Sequence, residues 1–249
     1  MDSSDANRHL SRISTLWSLV SLAHHEPGEE TGEAQRRLLE RYGGAIRRYL
    51  LGALRNADAA EDLFQDFAYR FLHGDLRRVD PERGRFRDYV KGVLFHLVAD
   101  YHKKRQRLPH QMAPDHPDPA VVCEPDAAQD QAFLDSWRDE LLARTWTALS
   151  AVDQANGQCF HAVLRFRADH PDLRSHEMAE QMSGILGKPL TAAGVRKTLE
   201  RARDRFADLL LDEIAQALAN PTPEYLEEEL IDLNLLEHCR PALERRRKG

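Results

Sequence analysis

From Phe86 to Tyr101 the apolar residues Phe86, Tyr89, Val90, Val93, Leu94, Leu97, Val98 and Tyr101 return at helical steps without a break. Such a stripe turns one face of a helix toward a core. It fits no half-buried strand, whose apolar side repeats every second residue. The same spacing recurs in Ile46, Tyr49, Leu50, Ala53 and Leu54, and again in Ala60, Leu63, Phe64, Phe67, Ala68 and Phe71. A later stripe runs through Val195, Leu199, Ala202, Phe206, Leu209 and Leu210. Alternating runs of Val, Ile and Thr are absent. The chain is therefore expected to be all-α.

Charge and proline divide it. Leu108 to Glu140 holds five of the twelve prolines and eight acidic residues against a single cation, Arg138. That composition predicts an extended acidic, Pro-rich linker. Immediately before it, Arg83 to Arg107 carries eight Lys or Arg against Asp88 and Asp100, a local charge of +6. Asn56-Ala57-Asp58 and Asp80-Pro81-Glu82-Arg83-Gly84 read as turns. In the second half, helices are expected at about 132–150, 154–169, 175–182 and 191–219. Asn220-Pro221-Thr222-Pro223 then breaks the pattern, before a short acidic helix and the basic tail Arg245-Arg246-Arg247-Lys248. The stretch from Tyr225 to Arg240 reads equally as a lid over either domain or as a docking helix. The expected architecture is two small helical domains joined by the linker. Its segments are 1–34 (an extension with a first helix), 35–107, 108–131, 132–219 and 220–249.

Whole-chain figures set bounds. Lys plus Arg is 35 and Asp plus Glu is 41, so the net charge is −6. A tight, non-specific, free-standing duplex binder needs cations to neutralise phosphates, and this balance argues against one. No run approaches the ~20 apolar residues that span a bilayer. The opening MDSSDANRHLSR lacks a secretory apolar stretch. Three scattered cysteines imply no disulfide framework. The expectation is a cytoplasmic, reduced protein without membrane insertion.

Catalytic and metal motifs fail in turn. Gly43-Gly44 lacks the flanks of a phosphate loop. His176-Glu177-Met178-Ala179-Glu180 starts like a helical zinc motif but has Glu180 where the second histidine is needed. Ser175 reads as the N-cap of that short helix. No cofactor, metal or catalytic residue is assigned.

Three constellations remain. With its apolar stripe removed, the Phe86–Arg107 helix shows Arg87, Lys91, Phe95, His96, His102, Lys103, Lys104, Arg105 and Arg107. Cations track a phosphate backbone and an aromatic face stacks on an unpaired base. A solvated helix with a basic C-terminal end has the same composition. Next, a short helix, a Gly-containing turn and a helix bearing Thr191, Arg196, Lys197, Glu200, Arg201 and Arg203 describe a helix-turn-helix. Last, Glu61, Asp62, Gln65 and Asp66 form an acidic strip. Such a strip is either solvated or a dock for a basic partner.

The order of these parts resembles a known family. Ala60-Glu61-Asp62-Leu63-Phe64-Gln65-Asp66-Phe67 resembles the acidic A-E-D-L-x-Q signature of region 2 in bacterial RNA polymerase sigma factors. Gly84-Arg85-Phe86-Arg87-Asp88-Tyr89-Val90 resembles the opening of their promoter-melting helix. Leu97-Val98-Ala99-Asp100-Tyr101-His102-Lys103-Lys104-Arg105 resembles its end. The helix-turn-helix ending in Leu199-Glu200-Arg201-Ala202-Arg203 is similar to region 4. With no region 3, the set is similar to extracytoplasmic-function (ECF, group 4) sigma factors. Phe95-His96 stands where many members have Arg-Asn, and the turn from Ser183 to Leu190 is enlarged.

The resemblance implies a binding subunit that catalyses nothing itself. Segment 35–107 would meet core polymerase and the −10 element, and 132–219 the −35 element. Glu61, Asp62, Gln65 and Asp66 would dock on the β′ clamp helices, and region 4 would meet the β flap. Arg87 through Arg107 would hold the melted −10 strand, while Thr191 through Arg203 would read duplex. Promoter DNA and core polymerase are the implied partners, with room for an anti-sigma factor or other regulator. The competing reading is a free-standing helix-turn-helix transcriptional regulator. A zinc hydrolase built on His176-Glu177 ranks last.

Overall fold

A computed structural model describes residues 15–17, 29–73, 85–107 and 127–248. The expected 80–84 turn, most of the N-terminal extension and linker positions 108–126 lie outside them. The described residues are all-helical. The helices are α1 (Glu29–Leu54), α2 (Ala57–His73), α3 (Phe86–Arg107), α4 (Ala127–Asn156), α5 (Phe160–Asp169), α6 (Ser175–Leu186), α7 (Ala192–Ala215), α8 (Pro223–Asp232) and α9 (Leu236–Lys248). The only β feature among them is a single antiparallel bridge between Arg85 and Leu218.

The chain forms two compact units. The first takes the described residues up to Glu140 together with Ala215–Thr222. The second takes Leu141–Ile214 and the chain from Pro223 onward. These divisions correct the expected boundaries. Helix α4 starts at Ala127, inside the span assigned to the linker, and its first half belongs to the first unit. The reason is aromatic. Phe133 and Trp137, one helical turn apart, are buried to about 1% exposure or less. Trp137 stacks on Tyr42 at 4.6 Å with 9° between the ring planes.

Phe86 is the hub of this core, with Trp17, Tyr42, Phe71 and Trp137 at 5.1, 5.6, 5.6 and 5.8 Å. Each such pair adds about 0.5–1.5 kcal/mol to what burial alone supplies. Gly43-Gly44 explains how two helices approach α1 so closely. A Cβ on Gly43 would touch the Phe64 ring of α2 at 3.4 Å, and one on Gly44 would collide with the Glu140 carboxylate of α4. Arg48 then clamps α4, donating to the Ser136 carbonyl at 3.1 Å and to Glu140 at 2.8 Å. The segment following α7 completes the unit. Phe86 N–H donates to Ala217 O (3.0 Å), Trp17 N–H to Gln216 O (3.3 Å), and the buried Thr15 hydroxyl to Leu218 O (2.6 Å).

In the second unit, α5, α6 and α7 share a core of Val163, Met178, Ala179, Met182, Val195 and Leu199. Helix α4 ends later than expected, at Gly157, whose φ of 65° suits glycine. Asp153 then caps the next helix, accepting from His161 N–H at 2.7 Å. The tail is two helices. Arg245 of α9 pairs with Asp204 and Asp208 of α7 at 3.0 and 3.1 Å. Arg246 pairs with Asp212, and Arg247 with Glu227 of α8. Thus the basic tail docks on the C-terminal half of α7, where Leu210, Leu211 and Ile214 are buried.

Candidate functional site

Helix α2 is defined locally. Arg55 ends α1 in the left-handed region, with φ at 50°. Asn56 is the N-cap, accepting from Ala59 N–H at 2.9 Å. Ala60, Phe64, Phe67 and Phe71 face inward. The acidic strip on the other side is not uniform. Glu61 pairs with Arg47 at 3.0 Å, and this hydrogen bond holds its carboxyl below the ordinary range. The Arg47 guanidinium also covers the Phe64 ring at 3.5 Å. Asp66 pairs with Arg70 at 2.8 Å. Asp62 and Gln65 are exposed to solvent. Tyr69, seven residues beyond Asp62 on the same face, is 59% exposed and stacks on His73 at 4.1 Å. Sequence reasoning passed over it, although the helical spacing from Asp62 would have found it.

Helix α3 divides the basic constellation into parts. Arg87 is 3% exposed, so it does not belong to the outer face assigned to it. The buried arc of the helix takes in both Phe86 and Arg87 before continuing through Val90, Leu94, Leu97 and Val98. That arc is wider than the apolar stripe alone suggested. Lys91 and Phe95 are half-buried rather than open. Lys91 Nζ lies 3.4 Å from Asp130 Oδ1 of α4. The Phe95 ring lies 5.9 Å from Tyr49 and 6.5 Å from Phe133. His96, Lys103, Lys104 and Arg105 are exposed, while His102 is half-buried and edge-on to Tyr101 at 5.5 Å. Arg107 closes the helix, and its side chain lies outside the described residues. The open cations therefore gather at the helix C-terminus, where the backbone dipole also favours them.

The third element is the pair of consecutive helices α6 and α7, inside the second unit. Arg174 rather than Ser175 is the residue that precedes α6; its N–H donates to Glu177 at 2.6 Å. Gly187, with φ at 63°, ends the helix. The enlarged turn is closed by Ser183. Its hydroxyl donates to Ala179 O at 2.6 Å and accepts from Leu190 N–H at 2.8 Å. Thr191 caps α7, its hydroxyl accepting from Gly194 N–H at 3.0 Å. Val195, Leu199 and Ala202 are buried, which leaves Arg196, Lys197, Glu200, Arg201 and Arg203 exposed along the first half of α7. The C-terminal helices bind the other half of α7, so they leave this row open.

Among the described residues, no group of three or more His, Cys, Asp or Glu is placed to hold a metal. No described helix is long and apolar enough to cross a membrane.

The described surfaces are thus an acidic helix, α2, beside one with a basic C-terminal end, α3, and the row of cations on α7. Among known families, residues 38–108, covering most of α1 with all of α2 and α3, match the model of Sigma-70 region 2. No curated protein and no solved structure matches the chain. The match supports a factor of the sigma-70 type, acting with RNA polymerase in transcription initiation.

Proposed function

We propose that the protein is a sigma factor of the ECF type that binds core RNA polymerase and directs promoter recognition and melting, without chemistry of its own. The observation that carries this reading is a coincidence. The segment matching Sigma-70 region 2 is the segment in which α2 turns an acidic face, and α3 a basic C-terminal end, to the outside. Asp62 and Gln65, extended by Tyr69, make the contact with the β′ clamp helices. Glu61 and Asp66 shape that surface through their pairs with Arg47 and Arg70. His96, Lys103, Lys104 and Arg105 contact the −10 region, with Lys91 and Phe95 taking the unpaired strand. The α6–α7 helix-turn-helix serves as region 4, reading the −35 element through Arg196, Lys197, Glu200, Arg201 and Arg203. The β flap holds that unit. The protein works in the cytoplasm, where polymerase supplies through effective concentration the affinity that a net charge of −6 withholds.

The test is a titration of the labelled full-length chain with bacterial core RNA polymerase at physiological salt. Saturable one-to-one binding, competed by another sigma factor, is the expected result. Absence of binding, with specific operator binding by the chain alone, would favour the free-standing regulator.

A further inference from the structure

The part of α3 that the proposed function gives to the unpaired strand is already occupied. Asp130 sits against Lys91 at 3.4 Å, and the Phe133 ring meets Phe95 edge-on at 6.5 Å. Phe133 also meets Tyr49 edge-on at 5.4 Å. A carboxylate on the lysine and a ring on the phenylalanine are the same two groups a nucleotide brings, as phosphate and base. We propose that the first two turns of α4, residues 127–134, are an internal stand-in for single-stranded DNA, and must lift from Lys91 and Phe95 before that strand can bind. The proposal rests on the strand-binding reading of α3.

The two ends of this contact are held unequally. Through Ala132 the helix is largely exposed, and Phe133 is its first buried residue. Beneath it, the Tyr49 hydroxyl and Asp130 Oδ1 are buried without a hydrogen bond. The contact of Asp130 with Lys91 is an ion pair without hydrogen-bond geometry, so desolvation here is poorly compensated. Farther along, the helix is fixed by the Trp137–Tyr42 stack and by Arg48 on Ser136 and Glu140. Opening from Ala127 to Phe133 therefore breaks the ion pair with Lys91 and the ring contacts of Phe133 with Phe95 and Tyr49, while the anchored turns stay in place.

The experiment uses the full-length chain and a labelled mixed-sequence single-stranded DNA, read by fluorescence anisotropy with and without core polymerase. Asp130→Ala removes the carboxylate and leaves Lys91 and Phe95 intact. It is expected to tighten DNA binding roughly two- to five-fold, the worth of a part-exposed ion pair. Tyr49→Phe deletes the orphan hydroxyl, strengthens the cover and is expected to weaken binding. Adding Lys91→Ala to Asp130→Ala should cancel the gain. In hydrogen exchange, amides 131–134 should lose protection when DNA is added, while 137–140 keep theirs. Equal DNA affinity of Asp130→Ala and wild type, or unchanged protection at 131–134 under saturating DNA, overturns the cover. Polymerase titration of the same samples separates the two readings. Binding to polymerase without a gain in DNA affinity refutes the cover alone, whereas no polymerase binding by any sample refutes the sigma assignment.

Discussion

Gly44 shows what one missing carbon does. Alanine in a helix is normally worth about 0.5–1 kcal/mol over glycine. Gly52, on the same helix with open space around it, should give that gain on Gly52→Ala. Gly44→Ala should give less of that gain, because its methyl displaces the Glu140 carboxylate from Arg48. Urea midpoints of the two variants check the difference. On α2, Asp62→Lys is expected to weaken core-polymerase affinity by about ten-fold or more, with an unchanged melting temperature. Equal weakening and melting loss would mean the residue acts on the fold. The thiols also differ. Burial pushes Cys239 up to about 11, so neutral-pH alkylation followed by peptide mapping should find label on half-exposed Cys159 and none on Cys239. The acidic strip was legible residue by residue, because helical spacing and charge define it. The pairing of Glu61 was not, since Arg47 lies on another helix.

Among the elements, α3 and α7 were readable because each carries a long stripe against one core. Helix α4 was not. Its proline-poor, acidic start looks like linker by composition, and only the position of Tyr42 on α1 gives Phe133 and Trp137 somewhere to go. Arg87 misled for a related reason, since burial of a cation depends on neighbours that its own helix does not contain. The tail was undecided by sequence. Its arginines meet Asp204, Asp208 and Asp212, which recur every fourth residue along α7. Exposed pairs of this kind are individually weak, but α8 and α9 also bring buried leucines. Deleting 223–249 is therefore expected to lower the melting temperature of the second unit and to leave polymerase affinity of the first unit unaltered. Thermal melting and the polymerase titration check the two halves of that expectation.

At the scale of the molecule, the all-helical class was legible, because helical periodicity repeats throughout. The partition was not, because the chain passes between units at Glu140, at Ile214 and at Thr222, and of these only Thr222 lies at a proline-marked break. The acid–base balance belongs to this scale too. The chain alone is expected to bind duplex promoter DNA weakly and with steep salt dependence. Sequence-specific binding should emerge in the polymerase complex, as a salt series with and without core enzyme would show.

The pairing of Thr15, Trp17 and Phe86 with the backbone of 216–218 has a consequence for synthesis. Thr15 and Leu218 are 203 positions apart in sequence. A growing chain ordinarily folds its leading domain while the rest is still being made. Here the leading helices emerge from the ribosome without the strip that closes over Phe86, and they wait for it until position 218 has been made. The first unit thus reaches its finished form only in molecules in which residues 141–214 have also been made, so products truncated before 215 should leave it incomplete.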